Sequence, residues 1–147
     1  MSTCYTRLLQ FAQQFQKFYD RQFWPVLERT HLTMREIHVL LFLANNPGHD
    51  TARDITALRG LSKSQVSQAV DLLAAEGLLR RTPDSLDRRI VHLAITSQGR
   101  PLTRECQAIQ ERCSQQLLSA LTLEEQAQFR ALLNTLLERG IPEEAQA

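Results

Sequence analysis

The feature that most constrains the fold of this chain is a pair of helix starts separated by one tight turn. Thr51 is an N-cap for a short helix that Gly60 ends, and Ser62 with Gln65 forms a capping box for the next helix. A helix, a tight turn and a second helix within residues 51–76 have the size of a helix-turn-helix unit. The chain is therefore restricted to folds in which the two helices of this unit pack against each other.

After this unit the hydrophobic pattern changes from a helical period to alternation. Residues 78–81 and 90–95 are two strand candidates, and residues 82–87 between them are rich in turn formers. Together they predict an antiparallel β-hairpin with a charged tip. Helices, a helix-turn-helix and then a hairpin, in this order, describe a winged helix over residues 32–96.

A buried helix is predicted ahead of the helix-turn-helix unit. Thr33 and Glu36 form a further capping box, and residues 37–44 are apolar nearly all round the helix that follows. Such a helix belongs in the centre of the lobe. Ile55 and Leu58 of the short helix are expected to face inward as well.

Long amphipathic helices are predicted on both sides of the winged helix, over residues 3–27 and 97–140. In the first, Pro25 is expected to end or kink the helix. In the second, Thr96 is expected to cap a long helix that bends slightly at Pro101. The fold class is therefore predicted to be mainly α with a small antiparallel β-hairpin wing.

A final helix, opened by a capping box at Thr122, carries an apolar stripe that the small winged-helix lobe cannot cover. The stripe consists of Phe129, Leu132, Leu133, Leu136 and Leu137. Apolar stripes of this length mark association surfaces, and a two-fold homodimer is the commonest solution. Residues 1–147 are thus predicted to form one domain whose N- and C-terminal helices dimerise. The second helices of the two helix-turn-helix units, called the reading helices below, would then lie about 34 Å apart, which is the length of one turn of duplex DNA.

The second helix of the helix-turn-helix exposes small and amide side chains on its first two turns. Glutamine can bond adenine bidentately, serine adapts to either base type, and the helix N-terminus attracts phosphate. Four arginines around the hairpin tip can straddle a phosphate backbone or enter a minor groove. The residues predicted to bind DNA are Ser62, Lys63, Ser64, Gln65, Ser67, Gln68, Arg80, Arg81, Asp87, Arg88 and Arg89.

Several segments resemble those of the MarR-type winged-helix regulators of bacteria. In that family an Asp-x-Arg wing signature is followed, usually, by Leu-Thr and then by a Gly. The segments that carry the resemblance are Leu32-Thr33, residues 61–67, residues 72–81, Asp87-Arg88-Arg89, Ile95-Thr96 and Gly99-Arg100. Ile95 stands where the family usually has Leu, which is a mild departure.

The resemblance covers nearly the whole chain and implies a homodimer on double-stranded DNA with a near-palindromic operator. It implies that Asp87 braces the wing, that Arg89 enters the minor groove and that residues 62–68 face the major groove. It also implies a small aromatic or anionic effector between the dimer helices and the winged helix. Phe15, Tyr19, Trp24 and His38 are candidates to line that pocket, and plain core packing is the alternative for them.

Composition excludes several other classes of protein. The formal net charge is only +1, although residues 59–121 carry a net +3 and residues 122–147 a net −3. No apolar run approaches the roughly 18 residues that span a bilayer, so no membrane partner is expected. Three cysteines, Cys4, Cys106 and Cys113, form an odd, sparse set that fits a reducing cytoplasm. No catalytic constellation, metal spacing or cofactor motif appears, so an enzyme is not expected.

The favoured hypothesis is a cytoplasmic, sequence-specific transcriptional regulator, a repressor that a small effector releases. Two alternatives stay open at this point. The modest net charge and the acidic Asp71 and Asp84 near the proposed DNA face would fit a winged-helix dimer that acts as a protein-interaction adaptor. Cys4 near the start of the first helix would fit a redox-responsive regulator or a thiol enzyme.

Overall fold

The computed structural model describes residues 2–140, with side chains from residue 4 onward. Within that range the chain is mostly helical and contains one two-stranded antiparallel sheet, as predicted. Its compact units divide within the sixth helix, after Glu111. In chain order the elements are α1 (Ser2–Gln22), α2 (Trp24–Thr30), α3 (Met34–Asn45), α4 (Ala52–Arg59), α5 (Lys63–Ala75), β1 (Leu79–Pro83), β2 (Val91–Ile95), α6 (Arg100–Leu118) and α7 (Leu123–Arg139).

The first predicted helix is divided in two, as Pro25 indicated. α1 ends at Gln22, the buried Phe23 forms the turn, and Pro25 lies in the first turn of α2. Proline is tolerated there because the first amides of a helix have no intrahelical acceptor. His31 ends α2 in the left-handed conformation, with φ of 59° and its amide bonded to the carbonyl of Leu27.

The core of the winged-helix lobe is built on α3, which is central and buried as predicted. Its capping box of Thr33 and Glu36 is present, and the buried side chains after it face α4 and α5. The largest fully buried apolar side chains of this lobe are Phe23, Ile37, Leu40, Ile55 and Leu73.

One expectation about α4 is wrong. Ile55 is fully buried, but Leu58 is 60% exposed instead of facing inward. A step of three residues falls about 60° short of a full helical turn. Because α4 has only eight residues and meets the core along a narrow stripe, Ile55 fills that stripe and Leu58 lies outside it.

The hairpin is antiparallel with Leu79 opposite Ile95 and Pro83 opposite Val91. The helix after it, α6, begins at Arg100, later than predicted. Thr96 still caps the turn that leads into it: its hydroxyl accepts from the amide of Gly99 at 3.1 Å, and its carbonyl accepts from the amide of Arg100 at 3.1 Å. The same hydroxyl donates to the carbonyl of Gly77 at 2.6 Å.

Pro101 lies nearer the start of α6 than the sequence predicts. Pro101 is the second residue of α6, where its missing amide removes no helical hydrogen bond. The last helix begins as expected, with Thr122 and Glu125 capping each other at 2.8 and 3.2 Å.

Gly99 is required at its position by space. A Cβ atom there would lie 2.4 Å from the carbonyl oxygen of Leu78, which is backbone and cannot rotate away. We expect Gly99→Ala to destabilise the protein by about 1–3 kcal/mol, as overpacking does. Urea unfolding would measure it, with Ser97→Ala, exposed in the same turn, as the control. Equal stability of the two variants would contradict this expectation.

Candidate nucleic-acid interface

α5 turns one apolar stripe to the core and keeps its first two turns polar and exposed. Val66, Ala69, Val70 and Leu73 are buried. The predicted contact residues on the other side, Ser62, Lys63, Ser64, Gln65, Ser67 and Gln68, are all exposed. The structure thus brings these six predicted residues together on one surface.

Two of the six also form the helix cap. The hydroxyl of Ser62 accepts from the amide of Gln65 at 3.1 Å, and the side-chain oxygen of Gln65 accepts from the amide of Ser62 at 3.0 Å. Each keeps one donor for another partner, the Ser62 hydroxyl hydrogen and the Gln65 amide nitrogen. Lys63, Ser64 and Ser67 lie between and beside them on the exposed face.

The wing tip holds one arginine in a fixed, exposed position. Arg89 donates from Nε and Nη2 to the two carboxylate oxygens of Asp87, both at 3.1 Å, while its side chain is 90% exposed. The amide of Arg89 also donates to Asp87, at 3.0 Å. The hydrogen bonds from Arg89 lower the pKa of Asp87, so the brace is charged at neutral pH.

The base of the wing is tied to α5. Arg81 on β1 forms an ion pair with Asp71 on α5. Part of its predicted role is therefore structural, since it fixes the hairpin relative to the reading helix. Arg80, opposite Ala94 at the base of the hairpin, and Arg88, in its tip, are both exposed.

His92 in β2 joins the wing to the lobe, and sequence reasoning missed it. Its Nδ1 lies 2.9 Å from Asp50 Oδ1 and its Nε2 lies 2.8 Å from Asp84 Oδ1. An imidazole can donate to two carboxylates only when both nitrogens are protonated. The hydrogen bonds to Asp84 and Asp50 raise the pKa of His92, and those from His92, Asp87 and Leu86 lower the pKa of Asp84 to about 2.

This clamp predicts a pH-dependent stability. Folding raises the pKa of His92. The stabilisation that protonated His92 adds to the free energy of unfolding is therefore complete below about pH 6.5 and is lost as pH rises through the folded-state pKa. We expect the melting temperature to fall over that range more steeply for the wild type than for His92→Gln. Thermal unfolding between pH 5.5 and 9 measures this, with His31→Gln as the histidine control. Parallel curves for wild type and His92→Gln would refute it.

Arg35 is a further residue that sequence reasoning missed. It lies at the start of α3, and its Nη1 donates to Oε1 of Gln68 on α5 at 2.7 Å. The only feature of the sequence that could have pointed to Arg35 is its position beside Glu36, a residue of the predicted capping box. The two side chains are 33 residues apart in the chain, so the pairing depends on how α3 packs against α5.

A cavity of about 320 Å³ lies away from this surface, in the first compact unit. Three of the four predicted pocket residues, Phe15, Tyr19 and His38, line it. The fourth, Trp24, lies outside the lining and is 65% exposed, because α1 ends before it and α2 starts a new direction. The remaining lining residues are Gln16, Leu41, Phe42, Asn45, Asn46, Arg59 and Gln110.

The polar groups of the cavity are ordered by hydrogen bonds. Arg59 Nη2 lies 3.1 Å from His38 Nδ1, so the imidazole accepts there and is neutral. Burial and the nearby Arg59 charge lower the pKa of His38, which keeps it neutral at physiological pH. Gln110 donates to the hydroxyl of Tyr19 at 2.9 Å. The cavity thus combines aromatic walls with one arginine.

The cysteines differ in exposure. Cys106 and Cys113 are buried, and burial raises the pKa of both thiols, to about 11 for Cys106. At neutral pH these two are therefore almost entirely protonated and unreactive. Cys4 is exposed.

Among residues 2–140, there is no group of three or more His, Cys, Asp or Glu residues that could hold a metal ion. The described helices include none with the length and apolar character to cross a bilayer.

A helix-turn-helix followed by a two-stranded wing with a braced arginine at its tip defines a winged-helix protein. Residues 32–90 match the model of the MarR family. The winged-helix segment of this chain is therefore similar to the MarR family.

Named relatives agree with this assignment. Transcriptional repressor MprA of Escherichia coli K12 is 31% identical over 86 residues, which are 58% of this chain and 49% of that repressor, so the match spans about half of its length. The structure of CouR from Rhodococcus jostii RHA1 bound to p-coumaroyl-CoA superposes with a TM-score of 0.70 at 25% identity, covering 92% of both chains. The Staphylococcus aureus MepR–DNA complex has a TM-score of 0.71 at 24% identity, covering 92% of this chain and 98% of that one.

Proposed function

We propose that this protein is a homodimeric, sequence-specific DNA-binding transcriptional regulator, a repressor that a small-molecule effector releases from its operator. The observation that carries the proposal is the surface formed by the polar face of α5 and the wing, with Arg89 held outward by Asp87 and the hairpin tied to α5 through Arg81 and Asp71. In this arrangement α5 enters the major groove, and the wing arginines meet the phosphates and the minor groove beside it.

Dimerisation is proposed from the apolar side chains that the single chain leaves uncovered. α7 buries none of its side chains and exposes a stripe of leucines, and α1 exposes its own apolar residues. Exposed stripes of this size indicate an association surface. The exposed apolar residues on these helices are Tyr5, Leu8, Leu9, Phe11, Leu123, Phe129, Leu132, Leu133, Leu136 and Leu137. A two-fold pair would suit a near-palindromic operator.

The effector is proposed to be a small aromatic anion. The cavity of about 320 Å³ offers aromatic walls from Phe15 and Tyr19, and Arg59 supplies a cation for a carboxylate. CouR, with an aromatic acyl thioester bound, is a relative with a ligand of comparable chemistry. Binding there would release DNA if it changed the distance between the two α5 helices.

In vitro selection of duplexes by the purified protein tests the function directly. We expect half-sites related by two-fold symmetry, with centres about one helical turn apart. Affinity for the selected duplex should fall steeply as the salt concentration rises. The Lys and Arg side chains that neutralise phosphates displace counterions from DNA, and this release becomes less favourable in high salt. Enrichment of no sequence above non-specific binding would exclude the proposal.

The adaptor alternative makes the opposite prediction for the same surface. A protein partner would cover α5 and the wing, and DNA would not compete with it. The exposed Arg89, together with the exposed small and amide side chains on the first two turns of α5, favours DNA instead.

A further inference from the structure

Arg35, which lies outside the reading helix α5, forms a hydrogen bond with the side-chain amide of Gln68 on that helix. Gln68 lies in the second turn of α5, on the exposed face, and its side-chain oxygen accepts from Arg35 Nη1 at 2.7 Å. Among the described residues, no acceptor is paired with the Nε2 amide of Gln68. The amide group therefore has one end engaged and the other end open.

Arg35 is itself held by a buried carboxylate. Its Nε and Nη2 donate to Oε1 of the fully buried Glu36, at 3.2 and 2.9 Å. The second oxygen of Glu36 accepts from the amide of Thr33 at 2.9 Å and from the Thr33 hydroxyl. Burial alone would raise the pKa of Glu36, but the hydrogen bonds from Thr33 and Arg35 bring it below its ordinary value. The guanidinium is thus anchored to the capping box of α3.

The chemistry of arginine decides which end of Gln68 faces it. A guanidinium has five donors and no acceptor, so only the oxygen of the glutamine amide can point toward Arg35. The NH₂ group of Gln68 is then the end that is turned outward. This orientation follows because a guanidinium can only donate hydrogen bonds and the oxygen is the only acceptor of the glutamine amide.

We propose that Arg35 is a positioning residue that turns the NH₂ group of Gln68 toward the base, so that the base which Gln68 contacts is guanine and not adenine. The proposal rests on the proposed function, in which α5 lies in the major groove. A free glutamine favours adenine, accepting from N6 and donating to N7. With Arg35 on one lone pair of the amide oxygen, the N6 amine would have to share that oxygen with a cation, whereas guanine presents two acceptors, O6 and N7, to the NH₂ group.

The test compares base preference among variants in the same selection. Gln68→Ala identifies the base pair that Gln68 reads, because preference at that pair alone should relax. At this pair the wild type should bind guanine about tenfold more tightly than adenine, the scale of one good base contact. Arg35→Ala in a Glu36→Gln background frees the amide without leaving an unpaired buried charge, and should reverse the preference to adenine.

Two controls separate this effect from a general loss of binding. Arg88→Ala removes a wing cation and should lower affinity for every duplex while the order of base preference stays the same. Circular dichroism and thermal unfolding of the Arg35→Ala, Glu36→Gln protein show whether it folds. If it does not, Arg35→Lys is used instead, because lysine keeps a charge beside Glu36 but lacks the separate Nη1 donor that reaches Gln68.

The possible failures are distinct. If the wild type selects no duplex, the proposed function fails. If it selects a site but prefers adenine or thymine at the Gln68 pair, keeps guanine after Arg35 is replaced, or shows no relaxation with Gln68→Ala, the role of Arg35 is wrong and the proposed function stands.

Discussion

If the proposed dimer forms through α7, replacing Leu132 and Leu136 with glutamate is expected to convert it to a monomer and to abolish tight operator binding. Both side chains are exposed on α7 of the single chain, so the charges are tolerated in a folded monomer. In a dimer the same charges would lie in an apolar interface without partners. Sedimentation equilibrium measures the mass, and fluorescence anisotropy with the selected duplex measures the affinity.

The expected loss of affinity is about a hundredfold or more. One half-site bound by a monomer lacks the second, intramolecular contact, and linked binding can exceed single-site affinity by about 10²–10⁴. The control is Ala127→Glu with Ala131→Glu, which places the same two charges four residues apart on the opposite side of α7. A dimeric Leu132→Glu, Leu136→Glu protein, or one that binds as tightly as the control, would remove the basis for the dimer.

Removing Arg89 is expected to have the second-largest effect. Arg89 is the wing arginine that Asp87 holds outward, so Arg89→Ala deletes a pre-oriented cation from each half of the proposed dimer. Loss of one charge-assisted contact per protomer should weaken binding to all duplexes by tenfold or more. Each contact with phosphate contributes roughly one unit to the salt slope, so the slope should become shallower by about two units per dimer.

Asp87→Ala separates the charge of Arg89 from its placement. This variant keeps the arginine but removes both of the hydrogen bonds that orient it. Affinity should fall less than in Arg89→Ala, and the salt slope should not become shallower, because the cation remains. Arg104→Ala, an exposed position on α6, serves as the control for loss of a charge elsewhere. An Arg89→Ala protein that behaves like this control would show that the wing does not touch DNA.

Short-range features of this protein were predictable from its sequence. The predicted capping boxes at Thr33, Ser62 and Thr122 and the predicted N-cap at Thr51 all form, and the wing begins after Gly77 as the change of hydrophobic period indicated. Each of these interactions joins residues three or four apart, so the local sequence contains both partners. The differences at Leu58 and Pro101 concern the ends of elements, where a shift of a few residues changes which face a side chain takes.

Tertiary structure decided the contacts that give the candidate site its chemistry. The sequence proposed Gln68, Arg81 and Arg89 as DNA contacts, and of these only Arg89 has its partner in the structure close by in the chain. Arg35 reaches Gln68 across 33 residues, and His92 reaches Asp50 across 42. Such pairs form when packing of α3, α5 and the hairpin brings the backbones within side-chain reach, and no local pattern specifies that distance. The sequence by itself therefore determined the helices, the wing and the surface that they expose, because hydrophobic period and capping act locally. Which donors on that surface remain available was decided by packing.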